Sequence, residues 1–400
     1  MMTKERRVLV SSSLFHALND SAGVAVPLVF PILLGSGAMI RNYSQIGLLS
    51  NFGLLATFFF QILIVHVARR LDYKTMLAAS FAGIIASLVL LPLAKTFAWL
   101  LALYVFFRIF DSFYHTVGLA WISRLHPSAG IDFAMGIQSG SGNLGVLLAF
   151  LTVGYLAQRS GWQPALLAWA AVCFGLGLVS LALVRGISFK VDDSAEPIRA
   201  ASWFKTVGLL RRHLPGFVFG GASWSVTLFF APSLFNRKFG VPMAGTGLYL
   251  ALWIGLGAVS TYLFGRISVA FGRARVTRSA LAVASLGLFA VGLAGRLPLA
   301  VTGLFVFGIS LFLIYPALQS CVGNAVPASR QSQAFSVASN LQMLSGALFS
   351  LVSGFLSDGY GVNTPFLLMG GLGVLALLVS PAAGRPRDEV SPVPELRGVE

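Results

Sequence analysis

Arg108, Asp111 and His115 stand at i, i+3 and i+7 inside an otherwise apolar stretch, and Tyr104 lies four positions before Arg108. On a helix with 3.6 residues per turn, that spacing puts all four side chains on one stripe. His16 and Asp20, at i and i+4 with Asn19 beside them, form a second stripe in the first apolar stretch of the chain. An ionised group in hydrocarbon costs about 2.5–3.5 kcal/mol on insertion scales, so charges in such stretches call for a reason. One permanent guanidinium set against two carboxylates leaves room for one exchangeable proton, and a neutral imidazole can bridge or tune it. Two other uses of the groups are open. Arg108 with Asp111 or Asp20 makes a static ion pair between helices, the histidines completing nearby hydrogen bonds. Alternatively His16, Asp20, Asp111 and His115 give nitrogen and oxygen ligands to a transition metal, although Arg108 beside them repels a cation.

The elements that must carry these side chains are set by composition. With 56% hydrophobic residues, 10% charged residues and a mean hydropathy of +0.83, the 400-residue chain does not describe a water-soluble protein. Apolar stretches of about 20 residues, each able to cross a hydrocarbon layer of roughly 30 Å as a helix, recur along its whole length. They fall near 10–34, 44–66, 76–94, 98–121, 133–157, 164–184, 214–235, 245–265, 277–295, 299–321, 333–357 and 365–382. The first, running from Val8 to Leu34, is too long for the apolar region of a cleavable signal peptide and reads as the first transmembrane helix. By these spans only Asp20, Arg108 and Asp111 lie deep, with His16 and His115 about one turn away, and the second half has no deep acidic residue. Proton or cation chemistry therefore belongs to the first half. Cys173 and Cys321 sit in or at the end of apolar spans, as small packing residues without a disulfide.

The formal charge of +15 sorts by side. If the N-terminus is cytoplasmic, the inner segments hold most of the basic residues, among them Lys4, Arg6, Arg7, Arg124, Arg211 and Arg212. The outer loops hold Arg41, Lys95, Arg159, Arg237, Lys238 and Arg296. This positive-inside pattern predicts an inner-membrane, multi-pass protein with both termini cytoplasmic and an even number of spans, and no nucleic-acid partner is needed to explain the charge.

The longest polar interruption, Arg185 to His213, divides the chain into a first bundle (1–185), a cytoplasmic linker (186–213), a second bundle (214–384) and a cytoplasmic tail (385–400). A shift of 200 positions matches Pro127 with Pro327, Ser139 with Ser339, Leu144 with Leu344, Gly154 with Gly354, Gly161 with Gly361, and Gly47-Leu48 with Gly247-Leu248. One register over separate helices indicates internal duplication, with a substrate site between the halves near the midplane. The expected fold is an all-α membrane protein of about twelve transmembrane helices in two pseudo-symmetric six-helix bundles. A Gly-x-x-x-x-Gly-Lys-Ser/Thr loop, a Gly-x-Ser-x-Gly elbow and a Cys/His cluster with metal spacing are all missing from the sequence. Nothing supports an enzyme or calls for a cofactor, and the energy source is an ion gradient or the solute's own.

Over essentially its whole length the chain resembles the major facilitator superfamily. That family's Gly, Asp-Arg, Gly-Arg-Arg loop between helices two and three is echoed after helix eight by Gly265, Gly272 and Arg273. The first copy keeps Arg70 and Lys74 but has Val65 and Arg69 where Gly and Asp usually stand. Arg108 stands where the family places its helix-four arginine, which implies a part in proton coupling. Within the superfamily the chain is similar to fosmidomycin-resistance-type exporters. The likeness lies in His16-Ala17-Leu18-Asn19-Asp20 with Pro27 and Pro31, in Ser44 to Leu49 with Gln61, and in Gln138 to Gly145; Tyr114-His115-Thr116 stands where that group tends to show Phe-His-Pro. The resemblance implies proton-driven export of a drug or metabolite.

Candidate substrate contacts are Asn19, Tyr104 and Asn143 in the first half and Trp224, Tyr315 and Gln319 in the second, with Trp253 adding to an aromatic wall for an amphipathic solute. Tyr315 maps onto His115 under the 200-residue shift. Packing is the competing reading for the aromatic residues and for the Gly-Ser-Gly-Asn run ending at Asn143. The expected function is a monomeric secondary transporter, a proton-coupled antiporter exporting a small molecule. The alternatives are an uptake symporter, a metal or metal-chelate exporter, and, in a different class, a receptor or scaffold that transports nothing.

Overall fold

The structure is a computed structural model and describes residues 2–68, 71–125, 128–187, 206–325 and 331–380. Among the described residues there are twelve long helices: α1 (Lys4–Leu28), α2 (Tyr43–Ala68), α3 (Tyr73–Leu90), α4 (Phe97–Leu125), α5 (Ser128–Ser160), α6 (Trp162–Leu183), α7 (Leu214–Ser233), α8 (Met243–Phe271), α9 (Arg273–Leu293), α10 (Leu297–Ala325), α11 (Gln331–Tyr360) and α12 (Thr364–Val379). Ten of the crossings are long and apolar enough to span a bilayer; α12 is apolar but has 16 residues, and α11 is a longer, more polar helix of 30. The expected linker falls largely, and the tail wholly, outside the described residues.

The helices α4 and α5, of 29 and 33 residues, overrun the spans expected from hydropathy. At 1.5 Å per residue they reach about 44 and 50 Å, beyond a hydrocarbon core of roughly 30 Å. Apolarity marks the part of a helix in lipid, whereas the helix itself continues for as long as its backbone pairs.

Proline sets the break that ends α1. Pro31 has no N–H to offer the carbonyl four residues back, so the helix stops at Val29 and restarts as a short segment, Phe30–Ser36, closed by Gly37 at φ 64°. The seventh crossing is altered near the corresponding place: Pro232 lies inside α7, which widens into a π turn over Leu234–Lys238.

The duplicated glycines acquire physical reasons. Gly161 and Gly361 take φ of 89° and 93° between α5 and α6 and between α11 and α12, a backbone region open to glycine. Gly47, Gly154, Gly247 and Gly354 let helices of opposite halves touch. A Cβ on Gly47 would lie 2.8 Å from the Ser350 carbonyl, and one on Gly154 would lie 2.7 Å from that of Met243. Thus α2 packs on α11 and α5 on α8, and these two seams join the first six helices to the last six. Within the first six, α1 packs against α4, α5 and α6, which brings together the two polar stripes read from the sequence.

Candidate proton and substrate site

Helix α1 can come close to α5 because α5 offers glycine. A Cβ on Gly145 would run into the backbone of Ala17, and one on Gly142 would stand 2.6–2.8 Å from three atoms of the His16 ring. Gly142 and Gly145 thus serve the close packing of α1 on α5, whereas Gly140, at the head of the Gly-Ser-Gly-Asn run, faces open space, and Asn143 is half-buried. The His16 ring is buried, stacked on Tyr114 with centroids 4.9 Å apart and meeting His115 edge-on at 5.4 Å.

His16 reaches Asp20 on one side and Gln138 on the other. Its Nε2 lies 2.9 Å from Asp20 Oδ2. Its Nδ1 lies 2.8 Å from the Gln138 backbone carbonyl and 2.7 Å from the Gln138 side-chain amide nitrogen. A neutral ring donates from Nε2 to Asp20 and accepts the amide N–H at Nδ1. A protonated ring donates to Asp20 and to the carbonyl. Both charge states of His16 are thus satisfied in place. The Gln138 amide also donates to the Tyr114 hydroxyl at 3.0 Å.

Asp20 is held from both sides, because His115 Nε2 lies 3.3 Å from its Oδ1. The side chains of Asp20 and His115 are 26% and 38% exposed, so this group is open to exchange with whatever fills the space beside it. The second carboxylate is in the opposite situation. Asp111 pairs with Arg108 at 2.5 Å and accepts from Asn19 Nδ2 at 2.9 Å, with side-chain exposures of 12% for Arg108 and 7% for Asp111. The single cluster expected from the sequence is therefore two adjacent groups, a sealed Arg108–Asp111–Asn19 set and an accessible His16–Asp20–His115 set. The buried Arg108 Nε, Asn19 Oδ1 and Tyr104 hydroxyl have no hydrogen-bond partner among the described residues. Tyr104 is fully buried against Phe30, Phe107 and Phe229.

One ligating atom from each of His16, Asp20 and His115 lies within 4.8 Å of the others, and two imidazoles with a carboxylate could hold a transition metal. Each imidazole is already within hydrogen-bond reach of Asp20, so the arrangement holds together through protons alone. Asp111, also named from the sequence as a ligand, is engaged by Arg108 and Asn19.

In the second half Trp224 lies 5.1 Å from Trp253 and 5.9 Å from Phe312, ring to ring, and the Tyr315 hydroxyl donates to the Gly220 carbonyl at 3.0 Å. Trp224 and Tyr315 are half-buried and Gln319 is exposed, whereas Trp253 is wholly buried. In the loop motif, Arg70 lies outside the described residues. Lys74 gives its backbone N–H to Asp72, which caps α3, and Gly272, at φ 81°, turns the chain from α8 into α9 just before Arg273. A Cβ on Gly265 would meet open space. The sequence reading did not assign Gln138 and Tyr114 to the site. Their signal lay within the segments quoted, Gln138 at the head of the Gln138–Gly145 run and Tyr114 next to His115.

A twelve-helix membrane fold in two interlocked sets, with a buried polar site among apolar helices, is that of a transporter and not of an enzyme. The chain belongs to the Major Facilitator Superfamily, whose family model matches residues 9–350. It is 22% identical over 370 residues to the multidrug efflux protein YfmO of Bacillus subtilis (strain 168), covering 89% of this chain and 88% of that protein. Among solved structures, a bacterial homolog of the human lysosomal transporter Spinster, inward-facing and occupied, superposes with a TM-score of 0.80 at 17% identity over 95% of this chain and 97% of its own. The nucleoside transporter NupG superposes with a TM-score of 0.71 at 18% identity over 94% of this chain and 98% of its own.

Proposed function

We propose that the chain is a proton-coupled exporter, exchanging a small drug-like compound or metabolite from the cytoplasm for a proton from outside, with both termini cytoplasmic in an inner membrane. One observation carries the reading: Asp20 is bracketed by two imidazoles at 2.9 and 3.3 Å and is partly open, while Asp111 is neutralised by Arg108 and sealed. A permanent cation beside a carboxylate favours its charged form and holds it there. Partners that are themselves titratable let charge move between the groups. His16, His115 and Asp20 are therefore the exchanging groups, and Arg108 with Asp111 is the fixed element beside them. The half-buried Trp224 and Tyr315 across the molecule supply an apolar face for the solute. The multidrug efflux relative, and the resemblance of the His16–Asp20 and Gln138–Gly145 segments to fosmidomycin-resistance-type exporters, support export as the direction.

Proteoliposomes with an imposed pH gradient provide the test, with fosmidomycin and ethidium as probe solutes. The expected outcome is gradient-driven flux of at least one probe that Asp20→Asn abolishes while counterflow persists. Wild-type gradient-driven flux in Asp20→Asn would remove the proton assignment. Flux along the proton gradient instead of against it would make the carrier a symporter.

A further inference from the structure

The two seams between the halves end in side chains that cap the helices of the opposite half. Asp358, near the end of α11, accepts the backbone N–H of Tyr43 at 2.6 Å and of Ser44 at 2.9 Å, the first two residues of α2. Gln158, near the end of α5, accepts the N–H of Ala244, the second residue of α8, at 2.9 Å. Under the 200-residue shift Gln158 corresponds to Asp358 and Ser44 to Ala244, so the two contacts are equivalents. Each half caps a helix of the other.

We propose that Asp358 and Gln158 form a reciprocal latch that keeps this end of the transporter closed, and that Asp358 is the stronger member. The first N–H groups of a helix have no partner within it and need one from elsewhere. For α2, Asn42 serves Gln45 at 3.1 Å, and the two N–H groups before it are left to Asp358. For α8, Pro242 at the cap position makes no side-chain cap hydrogen bond, so the cap comes from Gln158. Parting the seams takes the caps away from both helices.

The members differ in charge and in number of bonds. Asp358 offers a carboxylate to two N–H groups at the positive end of α2, a charge-assisted contact, whereas Gln158 offers one neutral oxygen to one N–H. Asp358 also sits at the negative end of its own helix, where a carboxylate is disfavoured, so α2 supplies what α11 cannot. The seam behind it leaves no slack, because Gly47 and Gly354 bring the two backbones into contact one turn further in. Asn51, a turn beyond Gly47, continues the same seam by donating to the Ala347 carbonyl at 3.1 Å. The latch concerns the rocking of the halves and does not depend on which group carries the proton.

Spin labels on Lys95→Cys and Arg296→Cys, exposed in loops of opposite halves at this end, report its opening through the distance between them, in full-length protein with Cys173 and Cys321 replaced by alanine. Relative to that background, Asp358→Ala is expected to raise the long-distance population about fivefold, the usual scale of a lost helix cap. Asp358→Asn is expected to raise it less, and Gln158→Ala less than Asp358→Ala. Gln158→Glu should lower the long-distance population. An unchanged distribution in both Asp358 variants, from protein eluting as the parent does, would overturn the latch. A larger shift in Gln158→Ala than in Asp358→Ala would overturn the assignment of Asp358 as its stronger member. If Asp358→Ala does not fold, Asp358→Asn against Gln158→Ala carries the same comparison. Flux plays no part in the readout, so failure of the proton-coupled reading leaves this test intact.

Discussion

Asn19 donates from Nδ2 to Asp111 Oδ1 at 2.9 Å, and the next residue in α1 is Asp20, which faces His16 and His115 instead. Neighbouring residues of one helix thus reach into two charge groups on α4. On the proposed assignment, a change of charge at Asp20 that shifts α1 would be felt at the sealed Arg108–Asp111 pair through Asn19, and the reverse would hold as well. Asn19 and Asp20 thus link the two groups of the proposed site without a long chain of intermediates.

Replacing Asn19 by leucine keeps volume and apolar packing but leaves Asp111 Oδ1 without its donor. Hydrogen bonds between membrane helices are worth about 0.6 to 1.7 kcal/mol, and a charged acceptor belongs at the upper end. The expected result is a lower unfolding temperature in detergent, with gradient-driven flux reduced more than counterflow. A thermal unfolding curve beside the two flux assays measures both. Unchanged coupling in Asn19→Leu would show that the groups act independently.

Arg108 is the residue whose loss should be the most damaging of the site. Its removal leaves Asp111 buried with Asn19 alone, and breaking one side of a buried pair costs about 3–5 kcal/mol. The Arg108→Ala variant is expected to be poorly stable and to have no uphill transport. Taking out Asp111 as well should restore much of the stability and none of the coupling, since the uncompensated charge is gone while the fixed element is still missing. Arg108→Lys keeps the charge on a different geometry and should fall between wild type and Arg108→Ala in uphill flux. Thermal unfolding of the single and double variants forms the cycle, and equal stability of the Arg108→Ala protein and its double variant contradicts it.

What the sequence made legible follows from which physics is periodic. Helical spacing alone put Arg108, Asp111 and His115 on one stripe and His16 with Asp20 on another. The cost of charge in lipid made them the residues to explain, and the 200-residue register marked Gly47, Gly154, Gly161 and their partners. Spacing within one helix says nothing about which neighbour across the interface a side chain meets. The sorting of one expected cluster into two groups depends on how α1 lies against α4 and α5, and Gly142 and Gly145 on α5 are where α1 comes closest to that helix's backbone. Gln138 and Asp358 were missed for the same reason: each acts on an element more than a hundred positions away. The same register already paired Gln158 with Asp358, but a glutamine facing an aspartate is not a match by identity.

Gln138 supplies both alternatives that let His16 change charge in place: an amide N–H for the neutral ring and a carbonyl for the protonated one. The Gln138→Leu substitution removes the first and keeps the second, because the carbonyl belongs to the backbone. The neutral ring is then left without a donor to Nδ1, and release of the proton becomes the hindered step. Uphill flux should fall severalfold while solute counterflow, which needs no proton release, is retained. Parallel loss of both would place Gln138 in packing or solute binding instead.

Gly142 tests the same ring without touching its chemistry. A methyl group at this position would lie 2.6 Å from Cε1 and 2.8 Å from both ring nitrogens of His16. The ring is stacked on Tyr114 and edge-on to His115, so it cannot recede without leaving Asp20. The Gly142→Ala substitution keeps every donor and acceptor of the site and adds a residue that favours helix. Its expected phenotype is that of His16→Ala: coupling lost, with the fold retained in α1 and α5. Gly140→Ala is the control, two positions away on α5, where an added methyl meets open space; it should transport as wild type and be no less stable. Gradient-driven flux through Gly140→Ala, Gly142→Ala and His16→Ala, measured with thermal unfolding, separates displacement of the imidazole from general damage to the helix. A fully coupled Gly142→Ala protein would mean that His16 does not need its place beside Asp20, and the exchanging group would then be reduced to Asp20 and His115.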